Sequence, residues 1–115
     1  MKIEKIKWMK SLDDSEIQEA LEEATIDCYD ESEQSMGLTT TAAESLVFPL
    51  TAKVMGVTVE VVDSTNCDYD GFGFDLVVEY NKKRYAIAAH CVELLKPLPD
   101  GHINLAAYLK WRSRF

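Results

Sequence analysis

The sequence predicts an α+β fold in which N-terminal helices pack on a small antiparallel β-barrel, followed by a short C-terminal helix. The first part of the chain repeats apolar residues at helical spacing, the pattern changes to strand-like alternation near Val47, and helical spacing returns at Ile103. A chain of 115 residues can bury about two thirds of its unfolded surface as one domain. We therefore expect a single domain, 1–115, with a helical part at 12–46, a barrel at 47–96 and a C-terminal helix at 102–113.

Two helices are predicted in the first part. The first begins at the run Asp13-Asp14-Ser15, because short polar side chains accept hydrogen bonds from the free backbone amides of a first turn. Asp30 either continues this helix or begins a second one, with Glu33 as its capping partner and an end near Glu44 to Leu46. The apolar arc of the first helix consists of Ile17, Ala20, Leu21, Ala24 and Cys28.

Four or five short strands are predicted between the helical segments. Valine alternates with polar residues over 57–61, so one face of this strand is expected to be buried. Two further apolar runs, Phe74–Tyr80 and Arg84–Ala89, are joined by Asn81–Lys83, which is typical of a tight hairpin. Val92–Leu95 is the candidate last strand. So few strands favour a small barrel over a sandwich.

Charge is distributed unevenly along the chain. Between Ser11 and Asn81 there are seventeen carboxylates and one basic residue, Lys53. Like charges at helical i, i+4 spacing destabilise by about 0.2–0.5 kcal/mol per pair, so the excess indicates that something outside the chain neutralises it. The net charge of −8 argues against direct contact with nucleic acid and favours metal ions or a basic protein as partners.

Other classes of function have little support in the sequence. The three cysteines, Cys28, Cys67 and Cys91, lack paired spacing, which is typical of reduced thiols rather than of disulfides or a zinc site. The start of the chain lacks the apolar core of a signal peptide, and no apolar run is long enough to span a membrane. We expect a cytoplasmic protein that is not an enzyme, since the adjacent His90 and Cys91 would point to opposite faces of a strand.

The most informative local motif lies between the first two long strands, over Asp63–Asp75. Its core, Asn66-x-Asp68-x-Asp70-Gly71, matches the first half of a calcium loop, in which alternate side-chain oxygens converge on one ion. The twelfth position, which must be Glu in an EF-hand, is Val77, so an EF-hand is excluded. Two interpretations remain: a calcium loop of another type, or a hairpin loop rich in Asp, Asn and Gly because turns favour these residues.

A second group of carboxylates follows the first helix. Asp27, Asp30, Glu31 and Glu33 are close in sequence near the expected helix break, where side chains can converge on an ion or remain solvated. The acidic stripe of the first helix is instead predicted to be a solvated face. It consists of Glu16, Glu19 and Glu23.

Three segments, 27–37, 46–53 and 78–87, resemble the small acidic bacterial calcium-binding proteins related to the heterocyst-regulating one of cyanobacteria. The pattern Tyr29-x-x-x-x-Gln34-x-Met36-Gly37 and the pair Phe48-Pro49 are specific when taken together. The resemblance implies N-terminal helices on a barrel of the Src-homology-three type. It also implies calcium binding through surface carboxylates without an EF-hand, with Glu44 as one ligand.

Calcium is therefore the expected cofactor. The candidate ligands are Asp27, Asp30, Glu31, Glu33, Glu44, Asp63, Asp68, Asp70 and Asp75. The leading hypothesis is a cytosolic calcium buffer or sensor. The alternative is an acidic interaction module that docks a basic protein, as a mimic of nucleic acid. The two differ in geometry, because a metal needs oxygens within about 2.5 Å of one point, whereas a mimic spreads its charges over a surface.

Overall fold

The computed structural model describes residues 7–67 and 73–113. Its helices are α1 (Asp14–Ala24), α2 (Glu31–Ser45) and α3 (His102–Arg112), with short 3-10 turns at Lys7–Met9 and Ala89–Cys91. The predicted N-cap of α1 is confirmed, since the Asp13 carboxylate accepts the backbone N–H of Ser15 at 2.8 Å. Helix α1 ends at Ala24, so Cys28 lies beyond it rather than on its apolar arc.

Five strands form one antiparallel sheet with the order β4-β3-β2-β1-β5. They are β1 (Leu50–Val54), β2 (Val57–Cys67), β3 (Gly73–Tyr80), β4 (Lys83–Ala88) and β5 (Glu93–Leu94). The turn between β3 and β4 is the predicted tight hairpin, because Asn81 and Lys82 have positive φ angles of 51° and 64°, as a two-residue primed turn requires. A β-bulge interrupts the pairing of β2 with β3 between Val61 and Asp63.

Helix α3 joins the helices to the sheet. It contacts both α1 and α2, and the ring of its Tyr108 packs edge-on against Phe74 of β3 at a centroid distance of 5.4 Å. The chain entering α3 passes so close to the end of α2 that a Cβ on Gly101, whose φ is 87°, would overlap the carbonyl group of Ser45. The Asn104 side chain also donates a hydrogen bond to the Ser45 hydroxyl at 2.8 Å. These contacts fix the helices against each other.

The α+β class and the antiparallel sheet are confirmed, but the sheet is not closed. Over residues 7–67 and 73–113 no pairing joins β4 to β5, and β5 has only two residues, Glu93 and Leu94, with which to complete a barrel. None of the helices in this part of the chain is long and apolar enough to cross a bilayer.

The predicted acidic loop at 63–75 is wrong in extent. Strand β2 continues to Cys67 and β3 begins at Gly73, because Ser64 and Thr65 pair with Leu76 and Asp75 of the facing strand. Only residues 68–72 remain between the strands, and Asp68 and Asp70 therefore lie outside the described residues.

Candidate metal centre

The carboxylates at the α1–α2 junction (Asp27, Asp30, Glu31 and Glu33) are partly used to build helix α2. Asp30 is its N-cap, and its Oδ1 accepts the backbone N–H of Glu33 at 2.8 Å. Oε2 of Glu33 accepts the backbone N–H of Tyr29 at 2.9 Å. This reciprocal arrangement resembles a capping box and confirms the interpretation in which Asp30 begins a second helix. One oxygen of each carboxylate is therefore committed to the backbone.

Close packing holds the α1–α2 junction in place. A Cβ added to Gly37 of α2 would lie 2.6 Å from the carbonyl oxygen of Ala24, at the end of α1. The Cys28 thiol lies 3.5 Å from the carbonyl oxygen of Glu33. Asp27, with a φ of 65°, and Glu31 are exposed beside this contact. The junction thus presents four acidic side chains on a closely packed turn.

A second pair of carboxylates, Asp63 and Asp75, lies on the outer face of the sheet, which we define as the face opposite the buried core. Asp75 pairs with Thr65, and Asp63 pairs with Val77, so the two acids are diagonal neighbours on adjacent strands. The Asp63 carboxylate accepts the backbone N–H of Ser64 at 2.8 Å, whereas the Asp75 carboxylate accepts no hydrogen bond from a described residue. We call this pair, together with residues 68–72, the hairpin end.

Two further carboxylates on the outer face, Glu60 and Glu79, were missed in the sequence. They stand directly opposite each other on β2 and β3, an arrangement that is unfavourable for like charges. Arg84 of β4 relieves it in part, because its Nε lies 3.3 Å from Oε2 of Glu79. The alternation at 57–61 indicated that Glu60 faces outward, but only the strand register places it beside Glu79.

Glu44 is separated from the junction. It lies near the end of α2, thirteen residues after Glu31, which corresponds to about 20 Å along the helix axis. Calcium holds its oxygen ligands at about 2.3–2.6 Å, so a single ion cannot join Glu44 to the carboxylates at the start of α2. The structure therefore divides those sequence-predicted ligands that it describes among three places: the junction, the strands of the hairpin end and the end of α2.

Among the described residues, no candidate carboxylate forms an ion pair with a basic side chain. Arg84–Glu79 and Lys7–Glu93 are the ion pairs formed between described residues, and neither includes a predicted ligand. Partial burial, and then the nearby Arg112 guanidinium, lower the pKa of His90, while Asp75 acts in the opposite direction. The lowered pKa disfavours the protonated, positively charged form of His90 beside Asp75.

No ready-made metal cage is present in the described part of the chain. Within 7–67 and 73–113, no three acidic, His or Cys side chains stand close enough together to hold a metal ion. Exposed carboxylate oxygens are nevertheless the ligands that calcium prefers. Glu16, Glu19 and Glu23, the acidic stripe of α1, are exposed, as predicted for a solvated face.

The architecture is shared with solved structures of low sequence identity. Anabaena CcbP matches with a TM-score of 0.70 and 20% identity, over 88% of this chain and 91% of that chain. A second structure, described as a calcium-binding protein in the calcium-binding form, matches with a TM-score of 0.68 and 20% identity, over 90% of this chain and 93% of that one. No family model matches the sequence, and no curated protein does.

These matches define the class of fold to which the chain belongs. They extend over almost the whole length of both partners, so helices and sheet are shared as one arrangement. The resemblance predicted from segments 27–37, 46–53 and 78–87 is thus confirmed as a likeness of fold.

Proposed function

We propose that the protein binds calcium through surface carboxylates and is not an enzyme. The observation that carries this proposal is the likeness in fold, over 90% of the chain, to a calcium-binding protein in its calcium-binding form. The charge distribution supports it, because seventeen carboxylates between Ser11 and Asn81 share that segment with one basic residue. A divalent cation would offset the repulsion among them.

The tighter binding position is proposed at the hairpin end. Diagonal neighbours on adjacent strands have Cα atoms about 7–8 Å apart, so Asp63 and Asp75 can approach one ion from two strands. Asp68 and Asp70 lie in the segment that connects those strands and would supply further oxygens toward the six to eight that calcium takes. Asp75 is the best described candidate, because no hydrogen bond to a described residue occupies its carboxylate.

A weaker position is proposed at the junction, with Asp27, Asp30, Glu31 and Glu33 as ligands. Their side chains would have to move together around the ion, since no three of them are close enough to hold it in the structure. Asp30 and Glu33 each retain one oxygen that is not used for capping. The amino end of α2 lowers the affinity expected there, because the helix dipole already favours anions and opposes an added cation. Glu44 would act as a separate surface ligand.

The proposed role is that of a cytosolic calcium buffer or sensor without an EF-hand. Binding to the folded state stabilises it by RT ln(1 + [L]/Kd), so calcium would tighten the segments that carry unneutralised charge. We further propose that the sheet is an opened barrel of the Src-homology-three type. Its strand order and the 3-10 turn Ala89–Cys91 before β5 support this assignment.

Calorimetric titration with calcium and magnesium tests the function directly. Calcium should bind, and magnesium should bind less well because it requires a tighter octahedral shell and gives up water reluctantly. Thermal unfolding supplies the second readout: calcium should raise Tm more than sodium chloride of equal ionic strength. Equal shifts in Tm with the two salts would mean that calcium only screens the repulsion among surface carboxylates and does not bind at a specific site.

A matched pair of double variants locates the binding position. Asp63→Asn with Asp75→Asn and Glu16→Gln with Glu19→Gln each remove two negative charges, but only the first pair touches the hairpin end. Weakened calcium binding in the first variant alone supports the proposed position. Equal weakening in both variants would contradict it, because long-range charge alone would then explain the affinity.

Docking of a basic protein on the junction is a second candidate function. Three large apolar side chains are exposed among the acids: Tyr29 by 88%, Ile26 by 71% and Met36 by 67%. Such a surface suits a partner that carries both Lys or Arg and apolar residues. Replacing the acids one at a time would then lower partner affinity in small steps, each weakened further by salt.

A further inference from the structure

We propose that a cavity between the 3-10 turn Lys7–Met9 and strand β5 binds small amphiphilic carboxylates, that is, molecules with one carboxylate head and a short apolar body. The cavity has a volume of about 300 Å³. It lies outside every group of carboxylates discussed above, and the inference does not depend on calcium binding.

Positive charge is concentrated at this cavity. Lys7, Lys10 and Lys96 line it, against one carboxylate, Glu93. Nζ of Lys7 lies 3.6 Å from Oε1 of Glu93, so this pair is partly neutralised. Lys10 and Lys96 form no ion pair with a described residue. In a chain with a net charge of −8, three lysines around one opening mark a local preference for an anion.

One of the residues that line the cavity has a buried hydrogen-bond donor with no acceptor among the described residues. Trp8 lines the cavity and is only 6% exposed, and its indole N–H has no acceptor among the described residues. The other tryptophan, Trp111, donates its indole N–H to Oε1 of Gln34 at 3.0 Å. Buried polar groups in proteins are nearly always hydrogen-bonded, so the indole of Trp8 indicates a missing acceptor.

Apart from Ser11, the remaining walls of the cavity are apolar. Leu94 is buried, and Leu95 and Leu98 are half-buried beside it. Lysine side chains add apolar length of their own beneath the charged end. A ligand must therefore combine an anionic oxygen acceptor with a hydrocarbon part. The volume lies at the lower end of small-molecule pockets, which favours a short chain or single ring over a peptide.

Titration of the full-length protein with octanoate in calcium-free buffer tests the proposal. The two indole N–H signals in a nitrogen-15 NMR spectrum report separately on Trp8 and Trp111. The Trp8 signal should shift downfield and saturate, because a new hydrogen bond forms, while the Trp111 signal stays in place. A Trp8 signal that does not move at millimolar octanoate overturns the proposal, as does an equal shift of both signals.

Charge-removing variants test whether the lysines contribute to octanoate binding or whether the apolar walls alone account for it. Lys10→Gln and Lys96→Gln should each weaken octanoate about two- to fivefold, which is the range of an exposed ion pair. Lys83→Gln, which removes the same charge from the exposed edge strand β4, is the matched control and should leave affinity unchanged. Equal weakening by Lys83→Gln overturns the site.

Two further comparisons test the head group. Trp8→Phe keeps an aromatic ring but removes the donor, and a folded Trp8→Phe variant should bind octanoate about three- to tenfold more weakly, as expected for one lost hydrogen bond. If Trp8→Phe does not fold, the head group can be changed on the ligand instead. 1-Octanol has the same apolar chain as octanoate but no negative charge, and it can be titrated into the native protein. Octanol that binds as tightly as octanoate overturns the proposal.

Discussion

The junction and the hairpin end carry similar numbers of carboxylates but use them differently. At the junction, Asp30 and Glu33 close the first turn of α2 through hydrogen bonds of 2.8 and 2.9 Å to backbone amides. At the hairpin end, Asp75 stands on the outer face of the sheet without such a bond to a described residue. Acidic density in a sequence is therefore a poor guide to a metal site unless the existing hydrogen bonds of each carboxylate are known.

The backbone dipoles also differ between the junction and the hairpin end. Glu31 and Glu33 occupy the first turn of α2, where the helix dipole already stabilises negative charge. The strands beneath Asp63 and Asp75 have alternating dipoles that largely cancel, so the sheet offers these side chains no comparable support. Calcium should consequently stabilise the hairpin end more than it stabilises the junction.

The largest expected effect comes from breaking the junction itself. Gly37→Ala places a methyl group against the Ala24 carbonyl and should lower the free energy of unfolding by about 1–3 kcal/mol, as overpacking does. Chemical denaturation measures the change, with the exposed Thr40→Ala in the same helix as control. The affinity of the tighter calcium-binding step should be unchanged in the folded variant. A weaker tight-binding step would show that calcium binding at the hairpin end depends on the junction, which contradicts the independence of the two regions.

Removing charge at the hairpin end should lower the affinity for calcium without lowering the free energy of unfolding of the calcium-free protein. Asp63→Asn with Asp75→Asn should weaken calcium binding about tenfold or more, because fewer charged ligands lower the affinity of such sites. The free energy of unfolding without calcium should stay the same or rise slightly. Asp68→Asn with Asp70→Asn should weaken binding similarly. Unchanged calorimetric affinity in both double variants would exclude this position.

Two substitutions of one residue separate capping from metal binding at the junction. Asp30→Ala removes the N-cap and should lower the free energy of unfolding by about 1 kcal/mol. Asp30→Asn keeps a capping oxygen and should cost little, although both variants lose the same charge. The tighter calcium-binding step should be unaffected in either. If Asp30→Asn weakened that step, the junction would be the principal site instead.

The smallest effect concerns His90, the titrating neighbour of Asp75. Because its pKa in the folded state lies below the ordinary value of 6.5, its contribution to stability is present above pH 6.5 and is lost as the pH falls through the folded pKa. Unfolding measured at pH 7.5 and 5.5 should show slightly less acid destabilisation in His90→Gln than in the native chain. A larger acid loss in His90→Gln would mean that the pKa is raised.

Local features of the fold were predictable from the sequence, and pairings between distant segments were not. The Asp13 cap, the Asp30–Glu33 capping pair and the Asn81–Lys82 turn each depend on a few consecutive residues, and all three are confirmed. The open sheet and the short connection at 68–72 depend on how far strands pair, which alternation alone does not determine.

The candidate sites divide in the same way. The carboxylates themselves are visible in the sequence, but the separation of Glu44 from the junction follows from the length of α2. The apposition of Glu60 and Glu79 requires the register of β2 against β3. The cavity brings Lys7 and Lys10 together with Lys96, across most of the chain, and no spacing rule relates residues so far apart.

The β-bulge between Val61 and Asp63 determines which side chains of β2 reach solvent. Before it, Val59 and Val61 point into the core; after it, Asp63 and Thr65 point outward, although all four have odd positions. Strict alternation without the extra residue would turn Asp63 toward the apolar interior. A change in chain length at Val62 would therefore invert the distal half of the strand at once. In this hairpin, inserting or deleting one residue would reverse the orientation of several side chains together, whereas a single substitution changes only one. The acidic outer face can therefore be gained or lost in one step by a change in chain length.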